Sequence, residues 1–291
     1  MDAIASLSSG KGHRDENFPV ASFLIRKRYR PVILAFYRFA RAADDIADHP
    51  RADAIEKLHL LENMWRTLHG EAELSEEASC LRLILAERNL TVLHALHLLE
   101  AFRRDVTKLR YANWDELIEY CRYSAMPVGR FVLDVHGESR SIWPASDALC
   151  AALQVINHLQ DCGKDYRNLD RVYLPLDILE EYGVELTALG NERASPALRR
   201  VTAAIAERAS SLLAQSRPFA DQIADFRLGL EVSVIQRLAE DLVWRHLARD
   251  PLCERVHHRM TEVGRLSSVA AIRFLLRRRR SATSGAALSR G

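Results

Sequence analysis

From "RPVILAFYRFARAADDIADHP" (residues 30–50) onward, apolar residues return every three or four positions. The same period runs through "LHLLENMWRTLH", "LTVLHALHLLEAFRRDVTKL", "WDELIEYCRYSAMPVGRFVLDVHG", "ALCAALQVINHLQDCGKDY" and "ALRRVTAAIAERASSLLAQ", and through the Leu-rich stretches beyond Leu228. That spacing is the signature of amphipathic helices. It predicts a first helix over residues 31–48. No stretch alternates with the period of two that a strand requires. Breaks fall around Pro50, at Gly70, at "SRSIWPAS", along "RNLDRVYLPLD" and "YGVELTALGNERASP", and at Asp250 with Pro251, where turn residues gather. The prediction is an all-α fold in one helical domain over residues 15–276, with a flexible segment before it (1–14) and a basic disordered tail after it (277–291).

Composition sharpens this picture. With 48% hydrophobic residues over 291 positions the chain can bury a large core, and only 12 Gly and 9 Pro interrupt it. A formal net charge of +2 gives no overall field for nucleic acid, which is excluded as a partner. Cys80, Cys121, Cys150, Cys162 and Cys253 are odd in number and far apart, with no C-x-x-C pair. They fit a reduced cytoplasmic protein without a zinc site. The N-terminal residues lack an apolar leader core, and no run approaches the roughly 18 apolar residues of a membrane span. Arg277, Arg278, Arg279 and Arg280 form the one dense basic run. It reads either as a solvated tail or as a peripheral contact with an anionic membrane, which attracts basic residues by about 1 kcal/mol each.

Two acidic clusters carry candidate chemistry. In the first predicted helix Tyr37, Arg41, Asp44 and Asp48 stand at i, i+4, i+7 and i+11, a single face. Like charges four apart cost a helix about 0.2–0.5 kcal/mol, so the face loses stability unless a cation neutralises it. Gln154, Asn157, Asp161 and Asp165, at i, i+3, i+7 and i+11, again share one face, with Lys164, Arg167 and Arg171 close by in the chain. Hard oxygen ligands on two facing helices suit Mg²⁺, which takes one or two carboxylates and bridges to phosphate oxygens. The implied ligand is a magnesium diphosphate, with Arg and Lys holding the remaining oxygens as a carbon–oxygen bond breaks. Asp pairs at this spacing also arise by chance. "ADQIAD", with Asp221 and Asp225, is such a pair without Asn or Gln on its face, and reads as a solvated helix surface.

"FYRFARAADDIAD" and "QVINHLQDCGKDYRNLDRVYLP" resemble the two aspartate motifs of the squalene and phytoene synthase family, and "FRRDVTKLRYANWDELIEYCRYSAMPVGR" resembles the segment between them. The likeness covers roughly residues 15–265. It implies an isoprenoid synthase fold around a central cavity, a prenyl diphosphate substrate and Mg²⁺. It further implies Asp44 and Asp48 as one set of metal ligands and Asn157, Asp161 and Asp165 as the other. Tyr37, Arg41, Lys164, Arg171 and Tyr173 would contact diphosphate, alongside Gln154 and Gln160. Asp105 matches an acid of the cavity wall, and Tyr120 a tyrosine beside the reacting carbons. Without that match, Tyr120 reads as a half-buried tyrosine of an amphipathic helix.

Gln160 stands where condensing members of the family carry Arg, so one phosphate-binding charge is missing. "DENFPVAS" also replaces the usual Ser- and aromatic-rich segment near the first helix. Both departures resemble the bacterial branch of the hopanoid pathway. That branch ionises presqualene diphosphate, rearranges the cation and captures water without a reductant. Two other readings remain: a condensing transferase making presqualene diphosphate, squalene or phytoene, against which Gln160 argues, and a non-catalytic helical module, against which both intact aspartate rows argue. His94 with His97 read as packing or solvent-facing residues, and His257 with His258 as surface residues.

Overall fold

The computed structural model describes residues 25–254 and 256–288, with side chains described through residue 280. The "DENFPVAS" segment and residues 1–14 lie outside the described residues. Among those described there are twelve α-helices and no strand.

The helices begin and end where local chemistry directs. Helix α1 (Arg30–Ala47) starts with Pro31 in its first turn and buries Val32, Ile33, Phe36, Phe39, Ala43 and Ile46. Asp53 caps α2 (Ala54–His69) by accepting from the Glu56 backbone N–H at 2.8 Å, and Gly70, at φ +75°, ends it. Ser75 caps α3 (Glu76–Glu87), and α4 spans Leu93–Thr107. The stretch read as one period from Trp114 to Gly137 is two helices, α5 (Trp114–Ser124) and α6 (Met126–His136). The chain bends at Ala125, just ahead of Pro127, whose ring cannot sit in a helix interior.

Helix α7 (Trp143–Leu169) is the spine of the second half. It packs against α6, α9 (Pro196–Ser216) and α11 (Phe226–Ala248). A Cβ on Gly129 would lie 2.5 Å from Ser146 Oγ and 2.6 Å from Cys150 Sγ, so α6 reaches α7 this closely only without a side chain there. Short helices α8 (Leu176–Glu181) and α10 (Phe219–Gln222) complete the connections, and α12 (Met260–Leu288) lies on α11.

The apolar side chains form two main cores. One gathers α1 to α4 around Phe36, Phe39, Leu61 and Leu99, with Phe131 entering from α6. The other gathers α7, α9 and α11 around Ile156, Leu159, Val201 and Leu242, with Tyr111, Tyr120 and Tyr173. Each fully buried large apolar side chain contributes about 1.5–3 kcal/mol. The two acidic rows therefore belong to helices anchored in different cores.

Three expectations change. Arg277 to Arg280, expected in a disordered tail, lie on α12, where Arg277 pairs with Asp221 and Arg278 donates to the Ile223 carbonyl, so this first part of the segment is held on the body. "ADQIAD" is not one helix face: Asp221 sits in α10, while Asp225 caps α11 by accepting from the Arg227 and Leu228 backbone N–H groups. His258 is not a surface residue. Its side chain is 7% exposed and its ring lies 3.1 Å from Asp241.

Candidate functional site

The first acidic row keeps its face. Arg41 forks between Asp44 Oδ2 at 3.0 Å and Asp45 Oδ1 at 3.2 Å, and half-buried Tyr37 stands one turn earlier. Asp48, the residue that ends α1, pairs at 2.5 Å with Nη1 of Arg171.

Arg171 owes its place to the chain reversal after α7. Asp170 adopts a left-handed φ of +51°, ending the helix. Residues 172–177 then pair with 109–112: Val172 N–H donates to Leu109 O at 2.9 Å and Leu176 N–H to Tyr111 O at 2.9 Å. The buried guanidinium reaches Asp48, the Ala47 carbonyl at 2.9 Å and the Asp105 carbonyl at 2.9 Å. Burial alone would lower its pKa, but Tyr173, Asp105 and Asp48 outweigh that and raise it. One side chain thus ties the end of α1 to α4 and to the segment after α7.

Below Arg171 lies an aromatic floor. Tyr120 and Tyr173 each donate to the carboxylate of buried Asp105, at 2.9 and 2.8 Å. Burial pushes that carboxyl up to about 6, against the pull of Arg171 and the two hydroxyls. The Tyr111, Tyr120 and Tyr173 rings lie 5.2–5.6 Å apart by centroid, and His158 stacks on Tyr173 at 3.6 Å. Burial, then the charge of Arg171, drives His158 down to about 3, so its imidazole is neutral. Tyr173, expected at diphosphate, donates its hydroxyl to Asp105.

The second row lies along α7. Gln154 holds the His158 ring at 3.1 Å. Asn157, Asp161 and Asp165 follow with partial exposure, and Lys164 is exposed beside them. Asp165 is pushed up to about 7 by burial, then by the charges of Asp161 and Asp48. The influence of Asp48 puts the end of the first row within electrostatic reach of Asp165. Among the described residues no cation lies within ion-pair distance of Asp161 or Asp165, and no three acid, His or Cys side chains form a ready-made metal cage. Gln160 donates its amide to the Val256 carbonyl, tying α7 to the segment before α12.

Sequence reasoning missed Lys57, His158 and Tyr111. Lys57, on α2, has its pKa lowered by burial and then by Arg171, opposed by Asp48, which places it beside the end of the first row. Nothing local in the sequence marks it. His158 did carry a signal, one turn from Gln154. A groove of about 510 Å³, lined by Tyr123, Met126, Arg130, Asp147 and Leu212 among others, does not include either acidic row.

Helices gathered in two cores, with acidic rows on α1 and α7, make up an all-helical isoprenoid synthase fold. Residues 12–262 match the squalene/phytoene synthase family. The chain is 59% identical to the hydroxysqualene synthase of Rhodopseudomonas palustris over 257 residues, 88% of each chain. It is 56% identical to that of Zymomonas mobilis over 269 residues, covering 92% of this chain and 91% of the other. The crystal structure of squalene synthase HpnC from Alicyclobacillus acidocaldarius aligns with a TM-score of 0.70 at 33% identity, over 84% of this chain and 91% of that one. A dehydrosqualene synthase at 21% identity shares the fold with a TM-score of 0.73. The chain belongs to the squalene/phytoene synthase family and is an enzyme of it. That family processes prenyl diphosphates and is generally dependent on a divalent metal. Among the described residues no helix is long and apolar enough to cross a membrane.

Proposed function

We propose that this enzyme is a hydroxysqualene synthase: presqualene diphosphate loses diphosphate, its cyclopropylcarbinyl cation rearranges, and water captures it to give hydroxysqualene. The observation that supports the reading is the Arg171–Asp48 ion pair, which fastens the end of the first oxygen-donor row to the segment just after the helix that carries the second. The relatives that bear this name over most of the chain support the same reaction.

The donor set is all oxygen, which fits a hard divalent ion. Asp44 and Asp48 would hold Mg²⁺ on one side, and Asn157, Asp161 and Asp165 on the other. When bound, the metal supplies positive charge that neutralises the leaving diphosphate. The chain's own cations complete that neutralisation, since Arg41, Lys57 and Lys164 take the outer phosphate oxygens while Arg171 keeps the rows in register. The cation left behind lies against the faces of Tyr120 and its neighbours. Asp105 occupies both tyrosine hydroxyls, so ring faces and not hydroxyls meet the cation. Neutral His158 adds no competing charge to that floor. The proton of the captured water leaves with the diphosphate, and no reductant is consumed. One domain over residues 15–276 carries these steps, with the basic run of α12 in peripheral contact with an anionic membrane.

The test is product analysis of purified protein with Mg²⁺ and no NADPH, given presqualene diphosphate or farnesyl diphosphate. Hydroxysqualene from presqualene diphosphate alone is expected. Consumption of farnesyl diphosphate, or inertness toward both, overturns the reading.

A further inference from the structure

We propose that the outward face of α12 is the membrane-docking surface of this enzyme, an apolar stripe that enters the headgroup region of an anionic bilayer while flanking arginines bind lipid phosphates. It deepens the peripheral contact above. To the extent that a lipid-like substrate and product require such a surface, it rests on that reading.

The inward face of α12 is firmly held. Leu266, Ala270 and Phe274 are buried, and the Phe274 ring lies 5.6 Å from that of Phe226. Arg277 pairs with Asp221 at 2.7 Å and Arg278 donates to the Ile223 carbonyl, so half of the Arg run fastens the helix to the body. Arg279 and Arg280, on the next turn, are exposed to solvent along part of their length.

The outward face has a different composition. Arg265, Val269, Ile272 and Leu276 stand at i, i+4, i+7 and i+11, one line along the helix, with Leu275 beside it. Val269, Ile272, Leu275 and Leu276 are 37%, 58%, 43% and 51% exposed. Single exposed apolar residues are ordinary, but four within eight consecutive positions form a patch that requires a partner. Arg265, Arg273, Arg279 and Arg280 are exposed around it, and beyond Glu262 the helix contains no acidic residue.

A protein partner would need carboxylates at matching fixed positions along every turn. A fluid anionic surface supplies phosphates wherever an arginine reaches, and long side chains keep their charged ends at the interface while their stems lie along apolar surface. Charge of one sign around an apolar line therefore selects the bilayer, with the helix lying in its plane.

The experiment is co-sedimentation of the full chain with phosphatidylcholine vesicles containing phosphatidylglycerol, against phosphatidylcholine alone. Binding to the anionic vesicles only, weakened by salt, is expected. Ile272→Glu with Leu276→Glu should lower the bound fraction by about 10-fold or more. Arg279→Ala with Arg280→Ala should lower it several-fold and flatten its salt dependence. Turnover of detergent-dispersed presqualene diphosphate should be unchanged in all of them. Should the Glu pair disturb folding by circular dichroism, Val269→Ser with Ile272→Ser serves in its place and should also lose binding. Failure of the wild-type chain to bind, or equal binding by the stripe variants, overturns the proposal. So does a dimer on a sizing column that the stripe variants split, because a second copy then covers the face. Vesicle binding without hydroxysqualene formation would leave this surface standing and sink the proposed reaction instead.

Discussion

The two acidic rows share a spacing and differ in almost everything else. In the first, Asp44 shares Arg41 with Asp45, and Asp48 holds Arg171. In the second, Asp161 and Asp165 have no ion pair among the described residues, and Asp165 carries both burial and the repulsion of its neighbours. One row is neutralised by the protein's own arginines and contributes to the fold. In the other, burial and the charges of Asp161 and Asp48 outweigh the pull of Arg171 and Lys164 on Asp165 and push it up to about 7. Equal spacing in sequence thus conceals a division between a row tied into the fold by ion pairs and a row without them among the described residues, the one proposed to meet the ligand.

The comparison breaks first on activity, where both rows should matter alike. Asp44→Asn and Asp161→Asn are each expected to lower hydroxysqualene formation by about a thousandfold, the loss of a metal-held charge on the leaving group. Thermal melts should show both variants folded. If either retained near wild-type turnover, its row would hold no metal.

Stability should then separate the rows. Asp48→Ala strands the Arg171 guanidinium, itself 7% exposed on its side chain, and removing one partner of a buried pair costs about 3–5 kcal/mol. Asp161→Ala removes a carboxylate that no described cation pairs with, and should leave urea midpoints close to wild type. Equal losses would erase the distinction.

A smaller effect tests the layer beneath. Asp105 titrates at about 6 in the folded chain, well above its ordinary value. Between pH 4 and 6 the folded state therefore binds more protons than the unfolded one, and this group's contribution to stability falls as pH rises through that window. Relative to Asp105→Asn, the wild type should gain at most about 3 kcal/mol as pH drops from above 6 to 4. The difference between two urea titrations isolates this from the buried histidines, which act in the opposite sense. A gap independent of pH would mean that Asp105 is not burdened as its burial implies.

How much of this was legible in the sequence follows from range. The rows lie within single helices, so a period of 3.6 displays them directly. Arg171 and Asp48 are 123 positions apart, and Tyr173 and Asp105 are 68 apart. Their meeting depends on how the chain reverses at Asp170 and pairs with residues 109–112, which no local pattern encodes. Lys57 is hidden for the same reason, since it reaches the site from a helix whose own sequence shows only an amphipathic surface. The bend at Ala125 escaped because apolar periodicity runs across it unbroken, although Pro127 marks it. On α12 the spacing of Leu266, Ala270 and Phe274 already predicts a docked helix, next to the dense Arg run that reads locally as a solvated tail.

The mildest prediction asks directly what the second row binds. Anything that binds only the folded state stabilises it by mass action, about 2.7 kcal/mol at a hundred times its dissociation constant. Mg²⁺ together with inorganic diphosphate, the released product, should raise the melting temperature of the wild type by several degrees. Neither should do so alone, because the metal needs phosphate oxygens to complete its shell and diphosphate needs the metal to approach carboxylates. Asp161→Asn should abolish the shift while retaining the wild-type melting temperature without ligand. Asp48→Ala should start from a lower temperature and also lose the shift. If diphosphate alone stabilised both variants as well as the wild type, arginines and lysines would be binding it without metal, and the second row would hold no metal.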